Sequence, residues 1–598
     1  MSAVPLPRPL LVFDGDCSFC RIWVDYWKQR TGDKVDYAPY QEVGEAFGVR
    51  SEEFAQAVKL IMPDGEVHSG AYAVFKLLDL VPTKRWLLRL YLQMPLFAAI
   101  SEAAYKLVSR HRSAGYRVTR ILWGIPVQAS SFQLATAIFL RALGVIYAIA
   151  FASFGVQAAG LIGSRGISPI AELLEPVRRY YGAAAYWDLP TLLWFDSSDA
   201  AIKVVWIAGL CLSFLLVLGP QWRMIRVALF VLYLSLVSAG QQFMGFQWDA
   251  LLLEAGFLAI LLDLAPVMVW LYRWLLFKLM FLSGVVKLAS GDFSWRHFSA
   301  LPVHYQTQPL PTPLAWYMYQ LPGWFQKISV GFVFFVELII PFLVFAPRRM
   351  RMFAARAIIT LQILIFLTGN YAFFNLLTIS LCLFLMDDAC LERLMPAKFC
   401  KFLTQKISPS KPFSRALCRA LASLALFVGS FQVLGPMGIH WDPAEIVTRA
   451  IAPLEIVNSY GLFAVMTTTR PEIIIEGSND GTTWLAYDFK YKPGDLARHP
   501  VWVQPHQPRL DWQMWFAALG DYQSDPWVVR FMGRLLEGSG DVLRLLADNP
   551  FPLAPPRYVR ALLYEYRFTS PEEKKATGDW WKRELKGVYV PAVGLKGE

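Results

Sequence analysis

Hydrophobic and polar positions change their rhythm along this chain, and each change marks a different kind of element. Leu10-Leu11-Val12-Phe13 is an unbroken apolar run of strand length, Asp14-Gly15-Asp16 is turn chemistry, and residues 17–30 carry apolar positions at helical spacing. A strand, a turn and a helix are predicted there. Residues 58–62 and 66–68 flank Pro63-Asp64-Gly65 and predict a hairpin. Residues 76–108 are helical and rich in Trp, Tyr and Leu. Pro82 and Pro95 interrupt them and Lys84, Arg85 and Arg89 charge them, which predicts amphipathic packing or interfacial helices without a membrane crossing.

Apolar stretches then recur at 132–157, 200–219, 225–242, 249–265, 267–288, 328–346, 353–369, 372–386 and 416–435. A helix needs about 20 residues to cross about 30 Å of hydrocarbon, so these predict about nine crossings, with the seventh and eighth the shortest. Arg110, Arg112, Arg117 and Arg120 precede the first stretch, Arg223 and Arg226 follow the second, and Arg348, Arg349 and Arg351 follow the sixth. Arg393, Lys398, Lys401, Lys406, Lys411 and Arg415 follow the eighth. All fall on loops of one side, and the alternate loops 158–199 and 289–326 are poor in basic residues, which is the positive-inside signature. The N-terminal region is therefore expected in the cytoplasm, and an odd helix count puts everything after about 436 on the opposite side. From about 450 the character turns to β. Pro471-Glu472-Ile473-Ile474-Ile475-Glu476-Gly477 reads as a strand, Ser478-Asn479-Asp480-Gly481 as a tight turn, and residues 482–490 as the returning strand.

Composition agrees with a membrane protein: 56% hydrophobic and 15% aromatic against 17% charged, over 598 residues. The net charge of +11 resides mostly in short runs between apolar segments, so no nucleic-acid partner is expected. No charged n-region followed by an apolar h-region opens the chain, which again predicts a cytoplasmic first domain. Of seven cysteines only Cys17 and Cys20 have a chemically meaningful spacing.

That pair sits where a strand hands over to a helix. Unpaired backbone N–H groups and the helix dipole there favour a thiolate, so Cys17 is expected to attack and Cys20 to resolve. The other readings are an inert pair and a zinc half-site, which would need a second Cys or His pair that this region lacks. Val12-Phe13-Asp14-Gly15-Asp16-Cys17-Ser18-Phe19-Cys20, continued by Asp64-Gly65, Gly70-Ala71 and Tyr105 to Arg110, resembles the DCC family of thioredoxin-like thiol-disulfide oxidoreductases. The resemblance implies a dithiol catalytic pair, Cys17 and Cys20, in a thioredoxin-like α/β domain over about 8–112.

A second concentration of chemistry lies at 503–520, where His506, Arg509, Asp511, Trp512 and Trp515 crowd together after two prolines. Trp512, Trp515 and Phe516 at i, i+3 and i+4 are what a packed amphipathic helix shows, and Arg509 with Asp511 reads as a local ion pair at its start. No serine or cysteine nucleophile accompanies His506, so a hydrolase triad is not supported. Packing, or contact with a client or partner, remains. This stretch, together with Asn458-Ser459-Tyr460-Gly461, Gly160-Leu161-Ile162-Gly163-Ser164-Arg165-Gly166, Phe246-Gln247-Trp248-Asp249-Ala250-Leu251 and Leu367-Thr368-Gly369-Asn370-Tyr371-Ala372-Phe373-Phe374-Asn375, resembles the lipase maturation factor family from about 130 to the end. The resemblance implies a membrane-embedded assembly factor that helps secreted lipases reach their active form.

Charges inside apolar runs form a third group: Asp249, Glu254, Lys278, Lys287 and Glu337. Each is costly unless paired or facing a cavity, although Lys287, near a helix end, has the option of snorkelling. Ser283-Gly284-Val285-Val286-Lys287-Leu288 followed by Phe293-Ser294-Trp295 resembles the vitamin K-dependent γ-glutamyl carboxylase and related HTTM membrane proteins. That second resemblance implies a base at Lys287 and a quinol-like cofactor.

The expected architecture is a multi-domain membrane protein: a thioredoxin-like α/β domain at 8–112, a polytopic helical membrane domain at 130–436, and a β-rich extracytoplasmic domain at 450–598. The expected function is maturation of secreted, lipase-like clients at the plasma (inner) membrane, fused to a CxxC oxidoreductase. The alternative is a quinol-using membrane enzyme of the carboxylase type. Expected partners are the client, membrane lipid and, for the first domain, a cytoplasmic thiol or disulfide; the maturation reading implies no metal and no resident cofactor.

Overall fold

The computed structural model describes residues 6–43, 49–219, 222–262, 267–403 and 412–595. Lys406, Lys411 and the end of the 249–265 stretch lie outside them. The chain divides into two compact units, Met1–Ser131 with Phe345–Phe353, and Phe132–Val344 with Ala354–Glu598.

The first unit is α/β. Strand β1 (Leu10–Phe13) is followed by helix α1 (Ser18–Thr31), β2 (Asp36–Pro39), β3 (Lys59–Ile61), β4 (Val67–Ser69) and α2 (Gly70–Asp79). The sheet order is β2-β1-β3-β4, with β1 parallel to β2 and antiparallel to β3. The β3–β4 hairpin forms as predicted: Gly65 takes a φ of 86°, which only glycine adopts without strain, and Asp64 Oδ1 accepts from Glu66 N at 3.0 Å. Leu11 and Val12 are fully buried, each stabilising the fold by roughly 1.5–3 kcal/mol. Three longer helices follow in the unit: α3 (Arg85–Gln93), α4 (Pro95–Arg110) and α5 (Arg112–Leu122).

From residue 132 onward every predicted apolar stretch holds a helix among the described residues, but not every helix is long enough to cross. Six are: α6 (Gln133–Gly155), α7 (Asp199–Leu218), α10 (Val267–Ala289), α11 (Gly323–Phe334, continuing through a π turn and a 3-10 turn to Phe345), α12 (Arg348–Thr368) and α14 (Pro412–Leu434). Helix α8 (Arg223–Ala239) has 17 residues, α9 (Gln247–Leu261) has 15, and the apolar stretch Phe374–Leu385, which holds α13 (Phe374–Leu381), is shorter still. Those three fall below the length that about 30 Å requires, so among the described residues the crossing candidates number six where about nine are predicted.

Residues after 450 form a mixed region around the antiparallel sheet β6-β5-β7-β8. Its strands are β5 (Pro471–Ser478), β6 (Leu485–Ala486), β7 (Tyr558–Phe568) and β8 (Trp581–Val593). The predicted hairpin partner of β5 shrinks to the two residues of β6, because Asp480 holds the Thr482 and Thr483 N–H groups locally, at 2.8 and 2.7 Å, instead of freeing them for a ladder. The long partner of β5 is β7, paired from Pro471↔Glu565 to Ser478↔Tyr558. Helices α15 (Arg509–Ala518) and α16 (Pro526–Leu536) pack on this sheet, so the region is α and β together instead of β-rich. One hydrophobic core is continuous from the transmembrane helices into it, joining Phe151, Tyr233 and Trp248 to Ile473, Trp512 and Phe531.

Candidate functional sites

The thiol pair stands at the head of α1. Cys17 caps the helix, its sulfur accepting from the Cys20 N–H at 3.2 Å, and the Cys20 Sγ lies 2.7 Å from the Cys17 Sγ. Both are half-buried free thiols. Burial and then the hydrogen bond to Cys17 push the Cys20 thiol well above its ordinary value, so Cys20 keeps its proton. Arg112 Nη1 donates to Asp14 Oδ2 at 2.8 Å, Arg112 Nη2 to the Ala55 carbonyl, and its charge reaches both sulfurs. Gln41 Nε2 bridges Asp14 Oδ1 and Asp16 Oδ2 at 3.2 Å each and fixes the turn before Cys17. Along the sequence Arg112 shows only as loop charge, because it lies 98 residues from Asp14.

The 503–520 stretch lies in the interior of the second unit. Arg509 and Asp249 are fully buried and joined by two bonds, Nη2 to Oδ1 at 2.9 Å and Nη1 to Oδ2 at 3.0 Å. Nη1 also donates to the Phe243 carbonyl at 2.7 Å, Tyr233 donates to Asp249, and the guanidinium lies over the rings of Phe154 and Phe246. The local Arg509–Asp511 pair is not formed. Residues two apart point to different faces of a helix, and Asp511 accepts instead from the Tyr491 and Lys492 N–H groups at 2.8 and 2.9 Å. Burial raises the Asp511 carboxyl above its usual value, against these backbone bonds. Trp512 packs edge-on to Trp248 with ring centres 4.9 Å apart, and Trp515 donates to the Thr307 carbonyl at 2.8 Å. Asn370 holds the approach to this helix: its Oδ1 accepts from Val503 N at 2.8 Å and its Nδ2 donates to the Val501 carbonyl at 2.8 Å.

Arg509, Asp511, Trp512 and Trp515 are thus buried, each held by partners within the second unit. His506 differs. Half-buried, with Nδ1 2.9 Å from Ser153 Oγ, it lines a cavity of about 300 Å³ together with Gln157, Lys490, Tyr491 and Arg544. Burial, and then the charges of Arg509 and Lys490, lower its imidazole to about 4, so it is neutral at physiological pH.

The charges within the apolar runs are paired. Lys278 meets Glu254 at 2.9 and 3.2 Å, and Glu254 Oε2 also accepts from Asn458 N and the Tyr460 hydroxyl, both at 2.8 Å. Lys287 is buried against Glu337, 3.0 and 2.9 Å from its two oxygens, and lies over the Trp295 ring. It does not snorkel: Glu337, brought in by α11, satisfies it in place. Among the described residues no group of three or more His, Cys, Asp and Glu is arranged to hold a metal ion.

A family model for the lipase maturation factor transmembrane domain matches residues 134–393, and one for the lipase maturation factor C-terminal domain matches 456–591. Lipase maturation factor 1 of Bos taurus is 35% identical over 506 residues, covering 78% of this chain and 90% of that protein. The chain belongs to the lipase maturation factor family. Lipase maturation factor 2 of Homo sapiens is 35% identical over 594 residues, covering 77% of this chain and 83% of its own length, and the Gallus gallus protein of that name is 35% identical over 585. A model described as DCC1-like thiol-disulfide oxidoreductase matches residues 11–118, so this lipase maturation factor family member carries a thiol-disulfide oxidoreductase domain ahead of its membrane helices. No solved structure matches the chain significantly. These family models and relatives lend no support to the HTTM resemblance or to the carboxylase-type alternative.

Proposed function

We propose that this chain is a membrane-embedded maturation factor for a secreted, lipase-like client, fused to a thioredoxin-like dithiol domain that works on a cytoplasmic thiol or disulfide partner. The observation that carries the reading is the kinship with proteins named lipase maturation factors over 78% of the chain. In this reading the domains are 8–112, 130–436 and 450–598, and the helices too short to cross alone complete about nine passes. The basic loops and the N-terminal domain face the cytoplasm, the C-terminal domain lies outside the plasma membrane, and lipid surrounds the spans. The cavity beside His506 is where the client meets the region that Arg509, Asp511, Trp512 and Trp515 support.

At the dithiol, the Cys17 thiolate attacks one sulfur of the partner's disulfide and expels the other as a thiolate. Cys20 then gives up its proton and attacks the Cys17 sulfur, closing the 17–20 disulfide and releasing the partner with two thiols. Two electrons pass from chain to partner, and the reverse sequence oxidises the partner.

Two measurements test this. A lipase co-expressed with the chain should be secreted with higher activity per milligram than without it; equal specific activity defeats the maturation reading. A membrane-impermeant maleimide applied to intact cells should leave Cys17 unlabelled, and labelling would reverse the orientation.

A further inference from the structure

We infer that the outward faces of α3, α4 and α5 form a binding surface for an anionic lipid bilayer, so that the thiol domain lies on the membrane surface as well as being tethered to it. Helix α4 is inverted relative to an ordinary amphipathic helix. Its outward stripe is Leu96, Ile100 and Leu107, which are 70%, 59% and 62% exposed. Its carboxylate Glu102 points inward, accepting from Tyr72 N and the Tyr91 hydroxyl at 3.0 Å each, and Tyr105 turns inward to accept from Val58 N at 3.0 Å. A helix on a water-facing surface shows the opposite arrangement.

The neighbouring helices extend the pattern. Helix α3 exposes Trp86 (56%), and α5 exposes Val118 (51%) and Ile121 (58%), while the inner side of α5 packs on α1 through Gly115 against Phe19. Basic residues stand among these apolar side chains: Arg85 and Arg89, Lys106 and Arg110, Arg117 and Arg120 are all exposed. Residues 84–125 hold eight Lys and Arg against one carboxylate, Glu102, which the fold has turned inward.

Charge and geometry both select the occupant. An almost purely cationic face complements anionic lipid headgroups, while large apolar side chains between the arginines enter the acyl boundary, which a phosphate backbone in water does not offer. A bilayer is also at hand. Ten residues separate the end of α5 from the start of α6, a reach of at most about 35 Å. The first residues of α12 belong to the same compact unit as α5, and a Cβ at Gly124 would lie 3.1 Å from Arg349 Nε.

The test places a photoactivatable benzophenone side chain at Leu107, at Ile121 or, as a reference, at the exposed Asp64 in the β3–β4 turn, in the full-length chain. Each protein is reconstituted in nanodiscs of phosphatidylcholine alone or with phosphatidylglycerol, and adducts are weighed after illumination. Lipid adducts at Leu107 and Ile121 but not at Asp64 are expected, falling about fivefold or more without phosphatidylglycerol or with the Arg117→Ser and Arg120→Ser substitutions together. Adducts to protein instead of lipid, yields equal to those at Asp64, or yields indifferent to phosphatidylglycerol would each overturn the inference. The lipid comparison is made on one and the same protein, and every outcome is independent of whether a lipase is the client.

Discussion

Arg509 and Asp249 are separated by 260 residues of sequence and joined by two buried hydrogen bonds, so the helix at the heart of the C-terminal region is pinned to the first turn of a helix in the membrane block. Each ion lost its water on folding, and the Phe243 carbonyl and the Tyr233 hydroxyl add one further hydrogen bond each to the pair, while Arg509 Nε stays without one.

Breaking this pair on one side strands the other charge. Arg509→Met should destabilise the protein by about 3–5 kcal/mol, read as a lower thermal midpoint in detergent micelles. Adding Asp249→Leu should recover more than half of the loss, because the stranded charge is then gone. A single variant that melts like the parent would show that water reaches the pair.

Lys287 and Glu337 should behave in the same way and reveal no chemistry. Lys287→Met alone should lower the thermal midpoint and the activity of secreted lipase together. Lys287→Met with Glu337→Leu should restore both, since the pair is structural in the maturation reading. Restored stability with lost activity would return Lys287 to the list of reacting groups.

The two thiols should differ in reactivity. Cys20 is held protonated by burial and by Cys17, so iodoacetamide at neutral pH should alkylate Cys17 faster than Cys20 by about tenfold or more, counted by peptide mass spectrometry. Cys20→Ser should trap mixed disulfides through Cys17, and Cys17→Ser should trap none. Equal alkylation rates would contradict the assignment of attacking and resolving sulfurs.

Acid should loosen the segment that carries His506. Its folded-state pKa of about 4 lies below the ordinary 6.5, so between these values the unfolded chain binds the extra proton and stability falls as pH falls. The loss develops from about pH 6.5 down to about 4, is flat below that, and reaches at most about 3 kcal/mol, less where solvent screens the ring. His506→Gln should flatten this part of the pH profile of the thermal midpoint. An unchanged profile would mean that another group titrates there.

Much of the molecule was legible in its local patterns. The strand, turn and helix around Cys17 follow from a short apolar run, two aspartates around a glycine, and apolar positions at helical spacing. The β3–β4 hairpin follows from Pro63-Asp64-Gly65. Among the described residues each of the nine apolar stretches holds a helix, because burying backbone among apolar side chains leaves helical hydrogen bonds as the way to satisfy it. The same patterns misjudged how far elements extend. Residues 482–490 carry strand-forming side chains, yet Asp480 captures the first two N–H groups and the ladder passes to β7, a long way along the chain.

By itself, then, the sequence determined the apolar helices, the β3–β4 hairpin and strand β5, that the chain is a membrane protein with several apolar helices, and that one cysteine pair has the spacing for redox chemistry. Periodicity, turn residues and spacing are properties of neighbours along the chain. Only the tertiary structure decided which charge each buried charge meets: Arg509 with Asp249 instead of Asp511, Lys287 with Glu337 instead of headgroups and water, and Arg112 beside Asp14 and the thiols. A buried ion takes whichever counter-ion the packing brings within hydrogen-bond reach, and packing depends on residues that no local pattern connects.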